Sequence, residues 1–172
     1  MVDKPETLPY HRLTLRMTDN HIKAAPACEF EISFASRLGF VDLVQEISDA
    51  ICRKMGFDEE QQYWISLSIR ESVTNAIEHG NKLDRSKQVR VCFRSFPNRL
   101  VVLVMDEGSG FTSADVPDPT DRENLLKPGG RGVFFVKAFM DEVSYRSLPE
   151  GGHEMRMEKK LLTPSKEMGN EH

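Results

Sequence analysis

Leu100 to Met105 is an unbroken apolar run that stops abruptly at Asp106. A run that short, bounded by turn residues, reads as a buried strand. Just upstream, Gln88 to Phe96 alternates through Val89, Val91 and Phe93, and Pro97-Asn98 supplies a turn between the two segments. The pair therefore predicts a hairpin. A chain organised around a buried strand must provide further strands beside it and helices to cover it.

The rest of the sequence provides both. Glu29 to Ala35 puts Phe30, Ile32 and Phe34 on one face, as a half-buried strand does, and His11 to Met17 alternates well enough for a short strand. Phe40 to Met55 carries Val41, Val44, Ile47, Ile51 and Met55 at helical spacing, which predicts a helix ending near Gly56. A second helix is expected from about Asp58, placed to cap it, to His79. At about 100° per residue, Ile65, Ile69, Val73, Ala76 and Ile77 gather on one side of it, and Trp64, Glu71, Asn75 and His79 on the other. Arg131 to Met140 reads as a third helix, and strands near Val143 to Leu148 and Glu154 to Lys160 close the pattern across Gly151-Gly152. These elements predict an α+β fold, a two-layer sandwich of a mixed, mainly antiparallel sheet with helices on one face.

A length of 172 residues suits one domain, expected over 28–162. An N-terminal extension, 1–27, expected to be partly disordered, precedes it, and a polar tail, 163–172, follows. Within the domain, 107–130 is rich in Gly, Pro, Asp, Ser and Thr and too long for an ordinary connection, which marks it as a functional lid or a disordered loop. A formal charge of −4 with scattered basic residues lacks the footprint of a nucleic-acid binder, and no apolar run reaches the span of a membrane helix. Cys28, Cys52 and Cys92 are odd in number and have no metal-ligand or redox spacing. They are expected to be reduced thiols, and with no secretory h-region the expected setting is the cytoplasm.

Three segments carry candidate chemistry. Glu71, Asn75 and His79 lie four residues apart and form one helical stripe. An Asn carbonyl oxygen suits a hard cation such as Mg²⁺, which takes few protein ligands, and a Glu one turn earlier could accept a proton. Alone, the stripe also fits a solvated helix face. Asp106-Glu107-Gly108-Ser109-Gly110-Phe111 places an acceptor-only carboxylate at a strand end, where it could take a hydrogen bond from an exocyclic amine beside glycines that admit a flat ring; a plain turn fits equally. Gly129-Gly130-Arg131-Gly132 opens a helix, where free backbone N–H groups and Arg131 suit phosphates, although a flexible lid running into a helix start would look the same. Neither a Walker A loop nor a dinucleotide-binding fingerprint is present.

The order of the three segments is more specific than any one of them. The stretch Glu71-Ser-Val-Thr-Asn75-Ala-Ile-Glu-His79-Gly80-Asn81 resembles the N-box of the ATP-binding superfamily shared by DNA gyrase, histidine kinases and MutL, Asp106 to Phe111 its G1 box, and Gly129 to Gly132 its G2 box. The wording is most similar to the small bacterial anti-sigma-factor serine kinases of the RsbW type, over roughly Glu29 to Lys160. The resemblance implies a Bergerat-type ATP-binding fold with ATP and Mg²⁺ as cofactors. It implies Glu71 as the base that activates the acceptor serine and Asn75 as the Mg²⁺ ligand. It gives Asp106 to the adenine amine, Gly108 and Gly110 to the base pocket, and Gly130, Arg131 and Gly132 to the phosphates. His79 then has a structural or supporting part and does not carry phosphate.

The implied partners are an anti-anti-sigma protein, phosphorylated on serine, and a sigma factor; the family also implies a homodimer. One departure stands out: the family commonly has Thr after the Gly-Gly of the last strand, and this chain has His153. Two other functions remain open on the residues alone, a non-catalytic nucleotide-binding module that sequesters a protein partner and a stand-alone ATPase.

Overall fold

The computed structural model describes residues 14–16, 28–108 and 130–161. Strands β1 (Thr14–Arg16) and β2 (Cys28–Ala35) lead through a short 3-10 turn, Leu38–Phe40, into helices α1 (Val41–Met55) and α2 (Glu59–Asn75). A π-helical turn, Ala76–Gly80, extends α2. Then come β3 (Gln88–Phe96), β4 (Arg99–Asp106), α3 (Gly130–Phe139), β5 (Glu142–Ser147) and β6 (His153–Lys160). The strands form one sheet in the order β1-β2-β3-β4-β6-β5. All the described pairings are antiparallel, in keeping with the mainly antiparallel sheet expected. The apolar run forms β4, held between β3 and β6. Its final residue, Asp106, stands opposite Val89 on one side and His153 on the other.

The helix ends follow from the sequence. Asp58 Oδ1 accepts the N–H of Gln61 at 2.7 Å, and Glu59 and Glu60 sit in the first turn, where the helix dipole favours negative charge. Helix α1 stops at Gly56, whose left-handed φ of 87° lets its N–H reach the Cys52 and Arg53 carbonyls. The helices cover one face of the sheet. Ile65, Ile69, Val73 and Ile77 pack with Val44 and Val136 against Phe34, Val91, Phe93, Leu100, Val102 and Met157 in a single core.

On the other face no described helix packs, yet Cys92, Val101 and Leu103 are buried there. Side chains of the sheet itself close over them. Arg146 makes a two-pronged bond to Glu154 at 2.6 and 2.7 Å, Arg156 pairs with Glu158, and Arg94 pairs with Glu29 at 3.2 Å. Arg99 lies 4.2 Å over the ring of Phe96. The aliphatic stems of these long side chains do the covering while their heads stay hydrated. The cysteines are all free; burial pushes the Cys52 thiol up to about 12 and that of Cys92 to about 11, so both stay neutral.

Two local expectations change. Helix α2 leaves α geometry after Asn75: the N–H of Asn81 bonds to the Ala76 carbonyl at 2.8 Å and that of Leu83 to the Ile77 carbonyl at 2.8 Å, which widens the last turn. The chain leaves this turn through Lys82 and Leu83, at φ of 54° and 59°, a left-handed pair that costs on the order of 1–2 kcal/mol per residue. Trp64, grouped by spacing with the polar stripe, instead stacks on Phe139 of α3 at 3.5 Å between centroids and 5° between planes. At the sheet edge, Thr14–Arg16 of the expected His11 to Met17 strand pairs with Glu29–Glu31.

Candidate functional site

The π turn brings the polar stripe of α2 to the end of β4. Asn75 is the last α-helical residue, Glu71 lies one turn before it, and the chain runs from Asn75 through Ala76–Gly80 directly onto Asp106. Both side chains are partly exposed, and neither is hydrogen-bonded to another described residue. A carbonyl oxygen and a carboxylate are therefore available on one side of the site. His79 is exposed in the same turn.

On the other side Asp106 sits in a tight slot, its side chain only 11% exposed. Its Oδ1 accepts the N–H of Gly108 at 2.8 Å, and Nδ1 of His153 lies 3.5 Å from the same oxygen. A Cβ added to Gly80 would come within 2.6 Å of Asp106 Oδ2, one on Gly108 would overlap the Gly80 carbonyl, and one on Gly152 would overlap the Asp106 carbonyl. Gly80 and Gly108 thus close on the Asp106 carboxylate and Gly152 on its main-chain carbonyl, with no room for side chains. An acceptor-only group in a narrow, glycine-walled slot fits a flat ring carrying an amine. The same three turns make Asp106 the part of the site least able to shift.

Helix α3 begins at Gly130, so Gly130, Arg131 and Gly132 form its first turn, where unpaired backbone N–H groups suit an anion. Gly110 and the rest of 109–129, the bulk of the expected lid, lie outside the described residues. Among the described residues no cluster of three His, Cys, Asp or Glu could cage a metal. The Asn75 carbonyl oxygen could serve as one ligand to a cation that takes the rest of its shell from water and phosphate, as Mg²⁺ does.

Spacing missed one participant. Asn81, closing the N-box stretch, is completely buried: its Nδ2 donates to Ser36 Oγ at 2.6 Å and to the Gln88 carbonyl at 2.8 Å, and its Oδ1 accepts the N–H of Glu107 at 2.8 Å. A buried amide with every hydrogen-bonding group used is a tertiary link, invisible to helical periodicity. His153, singled out by its position after the Gly-Gly turn, stands in register opposite Asp106 as a neighbour of the carboxylate.

The sequence profile of the histidine kinase-like ATPase domain matches residues 34–159, from the end of β2 to the end of β6. The chain belongs to that family. Among curated relatives, this histidine kinase-like ATPase is 28% identical over 119 residues to the serine-protein kinase RsbW of Bacillus licheniformis, covering 66% of this chain and 74% of the relative. It is 26% identical over 119 residues to the serine-protein kinase RsbW of Bacillus subtilis strain 168, with the same coverage. To the RsbW of Staphylococcus epidermidis it is 26% identical over 121 residues, covering 66% and 76%. The chain is thus a histidine kinase-like ATPase domain similar to these RsbW proteins, and the antiparallel α+β sandwich agrees with the family. No helix of the described residues is long and apolar enough to cross a membrane.

Proposed function

We propose that this domain is an ATP-dependent serine-protein kinase and anti-sigma factor, which phosphorylates an anti-anti-sigma protein of the STAS type in a partner-switching system. The observation that carries the proposal is the short link from Glu71 and Asn75, through the π turn, to the glycine-walled Asp106. Relatives named as serine-protein kinases support it. A site that held nucleotide only to set its shape would need the slot and the anion-binding helix start; it would have no use for Glu71 beside Asn75.

In this reading Asp106 takes the adenine amine, Gly108 and Gly110 line the base pocket, and the first turn of α3, with Gly130, Arg131 and Gly132, faces the phosphates. Asn75 supplies a carbonyl oxygen to Mg²⁺. When bound, ATP with Mg²⁺ supplies the transferable phosphoryl group. Glu71 accepts the proton of the incoming serine hydroxyl, which raises its nucleophilicity. Because phosphoryl transfer needs little covalent help, the task of the chain is mainly to align hydroxyl, phosphate and cation. The unphosphorylated partner would release a sigma factor held by this domain. This reading takes in the homodimer that the sequence resemblance implies and the cytoplasmic setting expected from the sequence, and gives no part to direct nucleic-acid or membrane contact.

The test is to incubate the protein with Mg-ATP and small STAS-type proteins from the same cell. The expected result is one phosphate on one serine of one such protein. Phosphate release without protein modification would make the domain a stand-alone ATPase, and nucleotide binding with neither would make it a binding module.

A further inference from the structure

We infer that Asn81 is a positioning residue for the nucleotide site, a single buried amide that fixes the cation-and-base half of the site against the ring-binding half. The inference rests on the nucleotide reading above and adds to it a residue that touches neither ligand nor metal.

The geometry is specific. The backbone N–H of Asn81 closes the π turn on the Ala76 carbonyl at 2.8 Å, the turn that begins immediately after Asn75. Its side-chain Oδ1 takes the N–H of Glu107 at 2.8 Å, and that N–H belongs to the peptide group joining Asp106 to Glu107. One residue therefore holds the end of the Glu71–Asn75 helix at one point and the Asp106 backbone at another. The two Nδ2 protons go to Ser36 Oγ and to the Gln88 carbonyl, at the end of β2 and the start of β3. Gln88 returns the link, since its own N–H donates to Glu107 Oε2 at 2.9 Å. The amide orientation is fixed by this set, because Oδ1 faces a donor while Nδ2 faces two acceptors.

A fully satisfied buried network holds its members in one arrangement. Here the members are the segments that carry Asn75, Gly80 and Asp106, and misplacement by a fraction of an ångström suffices to weaken a site assembled from several elements. A purely structural Asn would contribute stability alone. A positioning Asn also sets nucleotide affinity at temperatures where the fold is intact.

The bonds of Asn81 can be separated by substitution. Asn81→Ala removes all the side-chain bonds. Asn81→Asp keeps an acceptor for the Glu107 N–H and loses both Nδ2 donors, so it weakens the attachment to β2 and β3 while leaving the hold on the Asp106–Glu107 peptide. Calorimetric titration with Mg-ATP, run well below the melting temperature measured for each sample, reads the difference. The expected result is a lowered melting temperature in both variants, with Kd raised about tenfold or more in Asn81→Ala and kept within about threefold of native in Asn81→Asp. Native affinity in a folded Asn81→Ala, or a tenfold loss in Asn81→Asp, would overturn the inference; if the Ala variant does not fold, Asn81→Leu, which also removes every side-chain bond while filling the space, is read for the same two outcomes. If the unmutated protein itself gave no heat with Mg-ATP, the nucleotide reading would fall first, and that outcome is distinct from either of these.

Discussion

Glu71→Ala should slow serine phosphorylation by about 10²–10⁴-fold, the usual contribution of a positioned general base, while leaving Mg-ATP affinity close to native. The structure permits so clean a separation. Glu71 is partly exposed one turn before the end of α2, has no hydrogen bond to any described residue, and lies a full turn from Asn75, whose carbonyl oxygen remains in place. Alanine is the best helix former, so the substitution removes a carboxylate without removing the helix. Initial rates of partner phosphorylation at saturating ATP, beside a thermal melt and a nucleotide titration of the same sample, check the three parts together. Near-native turnover would take Glu71 out of the base role; weakened ATP binding with unchanged turnover would make it a nucleotide ligand.

Phe93→Ala is the substitution with the largest expected effect on stability, about 3–5 kcal/mol. Phe93 is 1% exposed in the middle of β3, with Phe30 opposite it in β2 and Val102 opposite it in β4. The Phe30 and Phe93 rings lie 6.3 Å apart at 44°, and the core around them draws on α1, α2, α3 and strands β2, β3, β4 and β6. Deleting a ring there leaves a cavity that two flanking strands, fixed in antiparallel register, cannot collapse to fill. Domains have about 5–15 kcal/mol of stability in all, so a shift of this size should be plain in the midpoint of a urea titration. A loss below about 1 kcal/mol would mean that this centre is far more plastic than its packing indicates.

The elements that place the site were largely legible because each rests on a local rule. The buried run ending at Asp106, the Asp58 cap and the i, i+4 spacing of Glu71 and Asn75 involve residues close in sequence, and each appears in the structure where periodicity put it. What stayed hidden depends on contacts between segments. Trp64 falls on the polar side of α2 by angle alone, and only the arrival of α3, far along the chain, makes that side a stacking surface for Phe139. The π turn was missed because the bond that widens the helix comes from Asn81, whose conformation is set by Ser36, Gln88 and Glu107.

The glycines around Asp106 show the same division. Gly108 was readable as part of a turn beside a carboxylate. That Gly80 closes on the carboxylate of Asp106 and Gly152 on its main-chain carbonyl follows from the path of the π turn and from the β4–β6 register, neither of which a linear pattern encodes. Likewise, the outer face of the sheet was expected only as the side without helices. Its covering by Arg146 and Arg99 depends on cross-strand pairing with Glu154 and Glu158, to which Arg156 adds a pair with Glu158 along β6 itself.

The account stands on one site formed where the end of α2 meets the end of β4. Isothermal calorimetry of the unmutated protein with ATP, with and without Mg²⁺, tests that most directly. The predicted result is one-to-one binding that tightens when Mg²⁺ is present and is lost in Asp106→Ala. Absence of heat with Mg-ATP, or binding indifferent both to Mg²⁺ and to Asp106, would contradict it.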